Sequence, residues 1–412
     1  MGYNLIPSNR KGTFITLFFT IFIIITGMGM VVPLLPIYAE NLGANGLYIG
    51  LIFGSFAFSR TIFLPYFGKL SDQKGRKPFI VTGLGGYIFV ALGFVVFANV
   101  NSLILIRFIQ GIASAMIMPV VQAYVGEITE KGKEGYSMGL FSMSMFGSLS
   151  IGPLMGGMIK DVWSMQGTFI CMAVLSAAGL LVSIIFLPPI TDEHIKRKNR
   201  TSVPWKIILK GNKSLFAIFS FRFAYTSCIG VIWCFLPIFA DKQFSLSGSS
   251  TGLLVMLGVF VSGILQLPMG YVADRFNKRI MVGVGGSVCS IAMLMLARSN
   301  SYFDLLLSVC LFGLGGGISM PAVMSIAVLM GNKKKAMASI MSIITMAHSM
   351  GMMAGSISAG IAMDYFNLRF AFPCGMAIMI TGTLLFLLFM EKSKYSILKK
   401  PDKSAYKQEN NV

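Results

Sequence analysis

The stretch Gly68-Lys-Leu-Ser-Asp72-Gln-Lys-Gly75-Arg76-Lys77-Pro78 lies between two long apolar runs, 47–70 and 78–98. Its polar part is so short that the helices on either side must be antiparallel neighbours. Gly68 has no side chain, so another helix can approach its backbone closely. Asp72, at a helix end, can accept backbone N–H groups or meet the positive end of a facing helix dipole. The pattern returns about 202 residues later as Gly270-Tyr-Val-Ala-Asp274, with Arg279 matching Lys77. Gly111 and Gly313, Pro119 and Pro321, and Asp161 and Asp364 keep nearly the same offset, as do Pro36-Ile-Tyr-Ala-Glu40 and Pro237-Ile-Phe-Ala-Asp241. A repeat of this length is the mark of a duplication and predicts two bundles of the same orientation.

Working outward from that loop, apolar runs can be placed at 13–38, 47–70, 78–98, 102–127, 137–160 and 163–188, and again at 213–240, 247–272, 279–298, 302–331, 337–363 and 366–390. Each is long enough to cross a bilayer as a helix of about 20 residues. They are continuous, which excludes barrel strands of about 10 residues with alternating polarity. The first run follows Arg10 and Lys11 but is too long for a secretory signal and has no small-residue cleavage site after it. The predicted class is an all-α integral membrane protein. It has an N-terminal six-helix bundle over 1–188, a cytoplasmic linker over 189–212, a C-terminal six-helix bundle over 213–391 and a disordered basic tail over 392–412. The linker holds Lys196, Arg197, Lys198 and Arg200, followed by Trp205 to Leu209, which suits a short amphipathic helix at the membrane surface.

Composition agrees. Of 412 residues 55% are apolar and 12% charged, and the mean hydropathy is +0.76. A water-soluble chain carries about 25% charged residues, so a soluble enzyme is excluded. The net charge of +19 resembles that of a nucleic-acid binder, but its distribution does not. With the N-terminus inside, 27 of the 34 Lys and Arg fall on the cytoplasmic side and four, Lys160, Lys242, Arg298 and Arg369, fall outside. That bias predicts an N-in, C-in protein whose excess charge faces anionic lipid. The six cysteines all lie in apolar spans without a Cys-x-x-Cys pair and read as small buried hydrophobes.

The Gly68–Pro78 stretch resembles the loop signature between helices 2 and 3 of the major facilitator superfamily, and the chain is similar to that superfamily's twelve-helix drug:proton antiporters. Leu105-Ile-Arg107-Phe-Ile-Gln110-Gly111 is similar to the helix 4 motif. Gly147-Ser-Leu-Ser-Ile-Gly152-Pro153-Leu-Met-Gly156-Gly157 is similar to the antiporter motif on helix 5, and Gly27, Gly29, Pro33 and Pro36 to the motif on helix 1. The resemblance implies that Gly68, Asp72, Gly75, Arg76 and Lys77, with Asp274 in the second half, form a latch that holds the two bundles in one access state. The alternative is that Lys74, Arg76 and Lys77 only set topology. It also implies that the small residues of helix 5 pack against the opposite bundle and limit leak. Ordinary close packing is the alternative.

Charges inside the membrane carry the most functional information, because each costs at least about 2.5–3.5 kcal/mol at mid-span. Arg107 shares a stripe of helix 4 with Gly111, Ser114 and Met118, with Gln110 and Gln122 at its edges. A polar stripe of this kind should face an aqueous cavity. The resemblance implies a proton-coupling role for Arg107, against a structural hydrogen bond to backbone carbonyls. Arg60 lies among Phe53, Phe56 and Phe63, and Arg222 shares a stripe with Thr226 and Trp233. Either arginine binds an anionic substrate group or caps neighbouring carbonyls. All fifteen acids lie in loops or near helix ends. The candidate proton carriers are therefore Glu127, Asp72, Asp364 and His348, the last on helix 11, where a histidine titrates near neutral pH or serves as a structural hydrogen-bonder.

The expectation is a secondary active transporter of the cell membrane that exports drugs or other small amphipathic molecules by alternating access in exchange for protons. The competing reading is an exporter or flippase of an anionic metabolite or lipid. The expected partners are a small-molecule substrate and the lipid bilayer, not nucleic acid, and the chain is expected to act as a monomer. No cofactor, metal or catalytic residue is expected, since His348 is the one histidine in a span and no Gly-x-x-x-x-Gly-Lys-Ser/Thr loop occurs.

Overall fold

The computed structural model describes residues 10–129, 134–188, 213–334 and 337–390. The expected linker over 189–212, with Trp205 to Leu209, and the tail from 392 lie outside the described residues. The chain runs through α1 (Arg10–Val31), α2 (Leu35–Asn41), α3 (Gly46–Lys74), α4 (Lys77–Val96), α5 (Val100–Ile128), α6 (Glu134–Val162) and α7 (Met165–Phe186). The second half has α8 (Lys213–Phe244), α9 (Gly248–Arg275), α10 (Lys278–Arg298), α11 (Tyr302–Lys334), α12 (Met337–Tyr365) and α13 (Ala371–Phe389), the last preceded by a 3-10 turn at Leu368–Phe370. Counting α1 and α2 as one, eleven spans among the described residues are long and apolar enough to cross a membrane. With α6, each half has six.

The first span departs from the single helix expected over 13–38. It breaks at residues 32–34, where Pro33 has no N–H and its ring opposes the carbonyl four residues back. Pro36 then occupies the first turn of α2, where no N–H is needed. Glycine ends α3. Gly75 has φ +89°, a conformation that L side chains rarely adopt, so α3 turns into α4 within two residues.

Packing repeats between the halves. In the first, α3 packs on α5, α4 on α5 and α7, and α1 on α6 and α7; in the second, α9 packs on α11, α10 on α11 and α13, and α8 on α12 and α13. The duplicated glycines show the register. A Cβ at Gly111 would overlap the Phe56 carbonyl and lie 3.1 Å from the Arg60 nitrogen, and a Cβ at Gly313 would lie 2.5 Å from the Gly258 carbonyl and 3.3 Å from the Ser262 nitrogen. Phe56 and Gly258, like Arg60 and Ser262, are themselves related by the offset. Between halves the main seams are α3 with α12 and α6 with α9, again a related pair.

Candidate functional site: a central cationic cluster between two seams

Three arginines converge electrostatically on the middle of the molecule. Arg107 projects from α5, is 3% exposed, and sits 4.8 and 4.5 Å from the ring centres of Phe53 and Phe56 on α3. The rings present their negative faces to the cation. Its Nη1 donates to Gln110 Oε1 at 2.6 Å. This corrects the expectation of a stripe open to water. Ordinary helical spacing turns Arg107 into the α3 contact, where aromatic faces and a neutral amide take the place of the backbone carbonyls.

Arg60, on α3, has no hydrogen-bond acceptor among the described residues, and its Nε is buried without a partner. Its charge acts on Tyr87 of α4 within its own half and on His348 of α12 in the other half. The Tyr87 hydroxyl donates to the Met28 sulfur of α1 at 3.6 Å. On the opposite side, Arg222 of α8 donates from Nη1 to the Met320 sulfur at 2.7 Å, and its Nη2 lies 3.3 Å from His348 Nδ1. Cys234 of α8 lies within electrostatic range of Arg107, which brings α8 to the first half as well. Arg60, Arg222 and His348 are each half-buried, and Met118 and Trp233 are too.

Other expected cavity residues stand elsewhere. Thr226 is fully buried and its hydroxyl donates to the Arg222 carbonyl at 2.8 Å, a back-bond one turn up its own helix. Gln122 is exposed near the far end of α5. Tyr87 and Met320 were not anticipated. A tyrosine inside the apolar 78–98 run was the available signal for the first; nothing in the sequence sets Met320 apart from the other methionines.

At one end of the molecule the halves are fastened together. Asp364, at the end of α12, accepts from the backbone N–H groups of Gly46 (2.6 Å) and Leu47 (2.8 Å) at the start of α3. Its repeat partner Asp161, at the end of α6, accepts from Gly248 (2.8 Å) and Ser249 (2.7 Å) at the start of α9, and from the Ser249 hydroxyl. Each carboxylate satisfies orphan donors of a helix in the other half and meets its positive dipole end. Lys242 and Glu40 add an ion pair at 2.8 Å. Below these contacts the seams are glycine-lined. A Cβ at Gly50 would lie 2.5 Å from the Ser356 carbonyl, and one at Gly157 or Gly360 would overlap the Gly248 or Gly46 carbonyl. The helix 5 motif thus presents Gly157 to α9, while Gly152 and Gly156 lie against Thr26 and Met30 of α1, beside Gly29. Gly147 faces the Phe22 ring, and Gly27 faces Met172 and Leu175 of α7.

The opposite end differs. Gly68 and Gly270 have no atom of the described residues within 4 Å of where a Cβ would stand, in place of the expected close approach of another helix. Arg76 is buried and pairs with Asp72, Glu127 (2.8 Å) and the Ser71 hydroxyl (2.7 Å), all in the first half. Burial by itself lowers the Arg76 guanidinium, but the bond to Glu127 and the charges of Glu127 and Asp72 outweigh it and hold it above the usual arginine range. Asp72 keeps its side chain 53% exposed, and Asp274 is exposed with no ion pair among the described residues. The expected latch therefore does not bridge the bundles in this structure. Lys77 donates to the Ile184 carbonyl at the end of α7 at 2.7 Å, and Arg279 does the same for Leu387 at the end of α13. Both are C-terminal caps of the last helix in their own bundle. The counterpart of Arg76 is Lys278, buried with an unpaired Nζ, for Leu329 stands where the repeat would place a second Glu127.

Two duplicated bundles of six helices around a shared polar centre define a multi-span membrane transporter. The family model of the Major Facilitator Superfamily matches residues 17–241 and 218–409, and the chain belongs to that superfamily. It is 29% identical over 359 residues to an uncharacterized MFS-type transporter of Methanocaldococcus jannaschii, covering 86% of this chain and 92% of that one. It is 25% identical over 400 residues to the quinolone resistance protein NorA of Staphylococcus aureus, covering 93% and 97%. A solved bacterial homologue of the human lysosomal transporter Spinster, inward-facing and unoccupied, superposes with TM-score 0.79 at 13% identity over 96% of this chain and all of that one.

Proposed function

We propose that this protein exports small amphipathic molecules across the cell membrane by alternating access, in exchange for protons, as a monomer with both termini in the cytoplasm and no cofactor beyond the proton gradient. One observation carries the reading: the fastenings between halves sit at one end, while at the other Gly68 and Gly270 have no neighbour within 4 Å among the described residues. The positive-inside bias puts the open end in the cytoplasm, so the conformation is inward-facing and ready to load. Similarity to NorA, named for quinolone resistance, supports a drug-like substrate. Exchange requires the loaded carrier to close behind the substrate, and the exposed Asp72 is then free to cap a facing helix of the other bundle as Asp364 caps α3 now.

The proton is assigned to His348. It is the one titratable candidate on a span between the two halves, 3.3 Å from Arg222 Nη2, whereas Glu127 is engaged by Arg76 and Asp364 by the start of α3. Arg107 and Gln110 hold the α3–α5 contact beside it. Everted vesicles bearing the protein should dissipate a preset pH gradient when a panel of quinolones and amphipathic dyes is added, and His348→Ala should abolish that response. If no compound of a broad panel moves the gradient, proton exchange is wrong.

A further inference from the structure

The central cluster holds three guanidinium groups, and among the described residues no carboxylate reaches it. The described carboxylates with located side chains, Glu40, Asp72, Glu127, Asp161, Asp241, Asp274, Asp304 and Asp364, lie at helix ends or beside loops. Guanidinium stays charged under any condition a cell offers, and a buried charge without a counter-charge is costly. The partners present are weak: two aromatic faces and an amide for Arg107, a thioether and an imidazole nitrogen for Arg222, and no acceptor for Arg60. The Nε atoms of all three are buried and unpaired.

From this we infer that the transported molecule is itself an anion, an apolar body carrying a compact carboxylate or phosphate head, which Arg60 of one half and Arg222 of the other hold between them beside His348. The inference rests on the exporter reading and names its substrate class. Arg60 and Arg222 are the half-buried members of the cluster, and a planar fork offers paired donors to a carboxylate or phosphate. Arg107, sealed by Phe53 and Phe56, keeps the cavity positive without touching the head. The half-buried Trp233 supplies apolar wall for the body.

The site also links loading to the switch. Arg60 and Arg222 belong to different bundles, and both charges act on His348, so they repel one another. An anion between them turns repulsion into two attractions and favours approach of the halves at the open end, which is differential binding to one state. Export of an anion is then driven by the inside-negative membrane potential, about 2.3 kcal/mol per charge per 100 mV.

Equilibrium dialysis of the purified full chain against 1-naphthoate, 1-naphthyl phosphate and 1-naphthylmethylammonium separates the head groups on one body. At least one anionic probe should bind about tenfold or more tightly than the ammonium, and comparison of the two anions assigns carboxylate or phosphate. Arg60→Gln and Arg222→Gln should each weaken the anion about tenfold, whereas Arg369→Gln, on the surface, should not. Ammonium binding equal to that of the anions, no binding of either anion, or wild-type affinity in both arginine variants would overturn the inference. Intact anion binding with no transport in vesicles would instead overturn the exporter reading, so the two failures are distinguishable.

Discussion

The two ends of this molecule are built from one repeat, and they differ in where their charged groups find partners. At the closed end Asp161 and Asp364 each reach across to the first N–H groups of a helix in the other half. At the open end Asp72 turns back to Arg76 within its own half, and Asp274 has no ion pair among the described residues. A carboxylate meeting a helix N-terminus of the other half is seen at the closed end only. The difference teaches that the two ends hold their carboxylates differently, and under the proposed alternating access the two ends would compete for closure as a single see-saw.

The comparison breaks most severely where the closed seam has no room. Gly157→Val or Gly360→Val places a side chain against a carbonyl of the facing helix. Overpacking of this kind costs about 1–3 kcal/mol, charged to the closed state alone. Transport into vesicles should fall about tenfold or more, with a thermal midpoint close to wild type because each bundle keeps its own core. Next come the caps. Asp161→Ala or Asp364→Ala removes a charged acceptor of two backbone N–H groups, worth about 1–2 kcal/mol, and should make the closed end several-fold more accessible to a membrane-impermeant thiol reagent at an introduced cysteine. The double variant should show the sum in free energy, since the two caps lie on separate seams. Glu40→Gln should have the smallest effect, below about 1 kcal/mol, because the Lys242 partner is 58% exposed.

Much of the fold was legible in the sequence because span placement depends on local hydropathy, which survives without knowledge of contacts. The offset of about 202 residues brought Asp161 and Asp364 into alignment, yet neither partner could be named, since Gly46 and Gly248 contribute only backbone N–H groups and leave no side-chain signal. The break at 32–34 was written in Pro33 but masked by the continuous apolarity on either side. Arg60 and Arg222 were readable as costly charges in apolar spans. The enclosure of Arg107 was not, because the orientation of α5 toward Phe53 and Phe56 is a matter of tertiary packing. The expected latch residues were legible as a motif, but the partners of Arg76 were not, because Glu127 is distant in sequence and reaches it only through the packing of α5.

Paired spin labels on α3 and α12 test the see-saw most directly. In a cysteine-free background, one pair at Tyr48→Cys and Tyr365→Cys reports the closed end, and one at Gln73→Cys and Ser342→Cys reports the open end. Removing both caps, by Asp161→Ala and Asp364→Ala together, should lengthen the first distance and shorten the second in the same fraction of molecules. A first distance that lengthens while the second stays fixed would mean that the ends open independently, and would contradict alternating access in this protein.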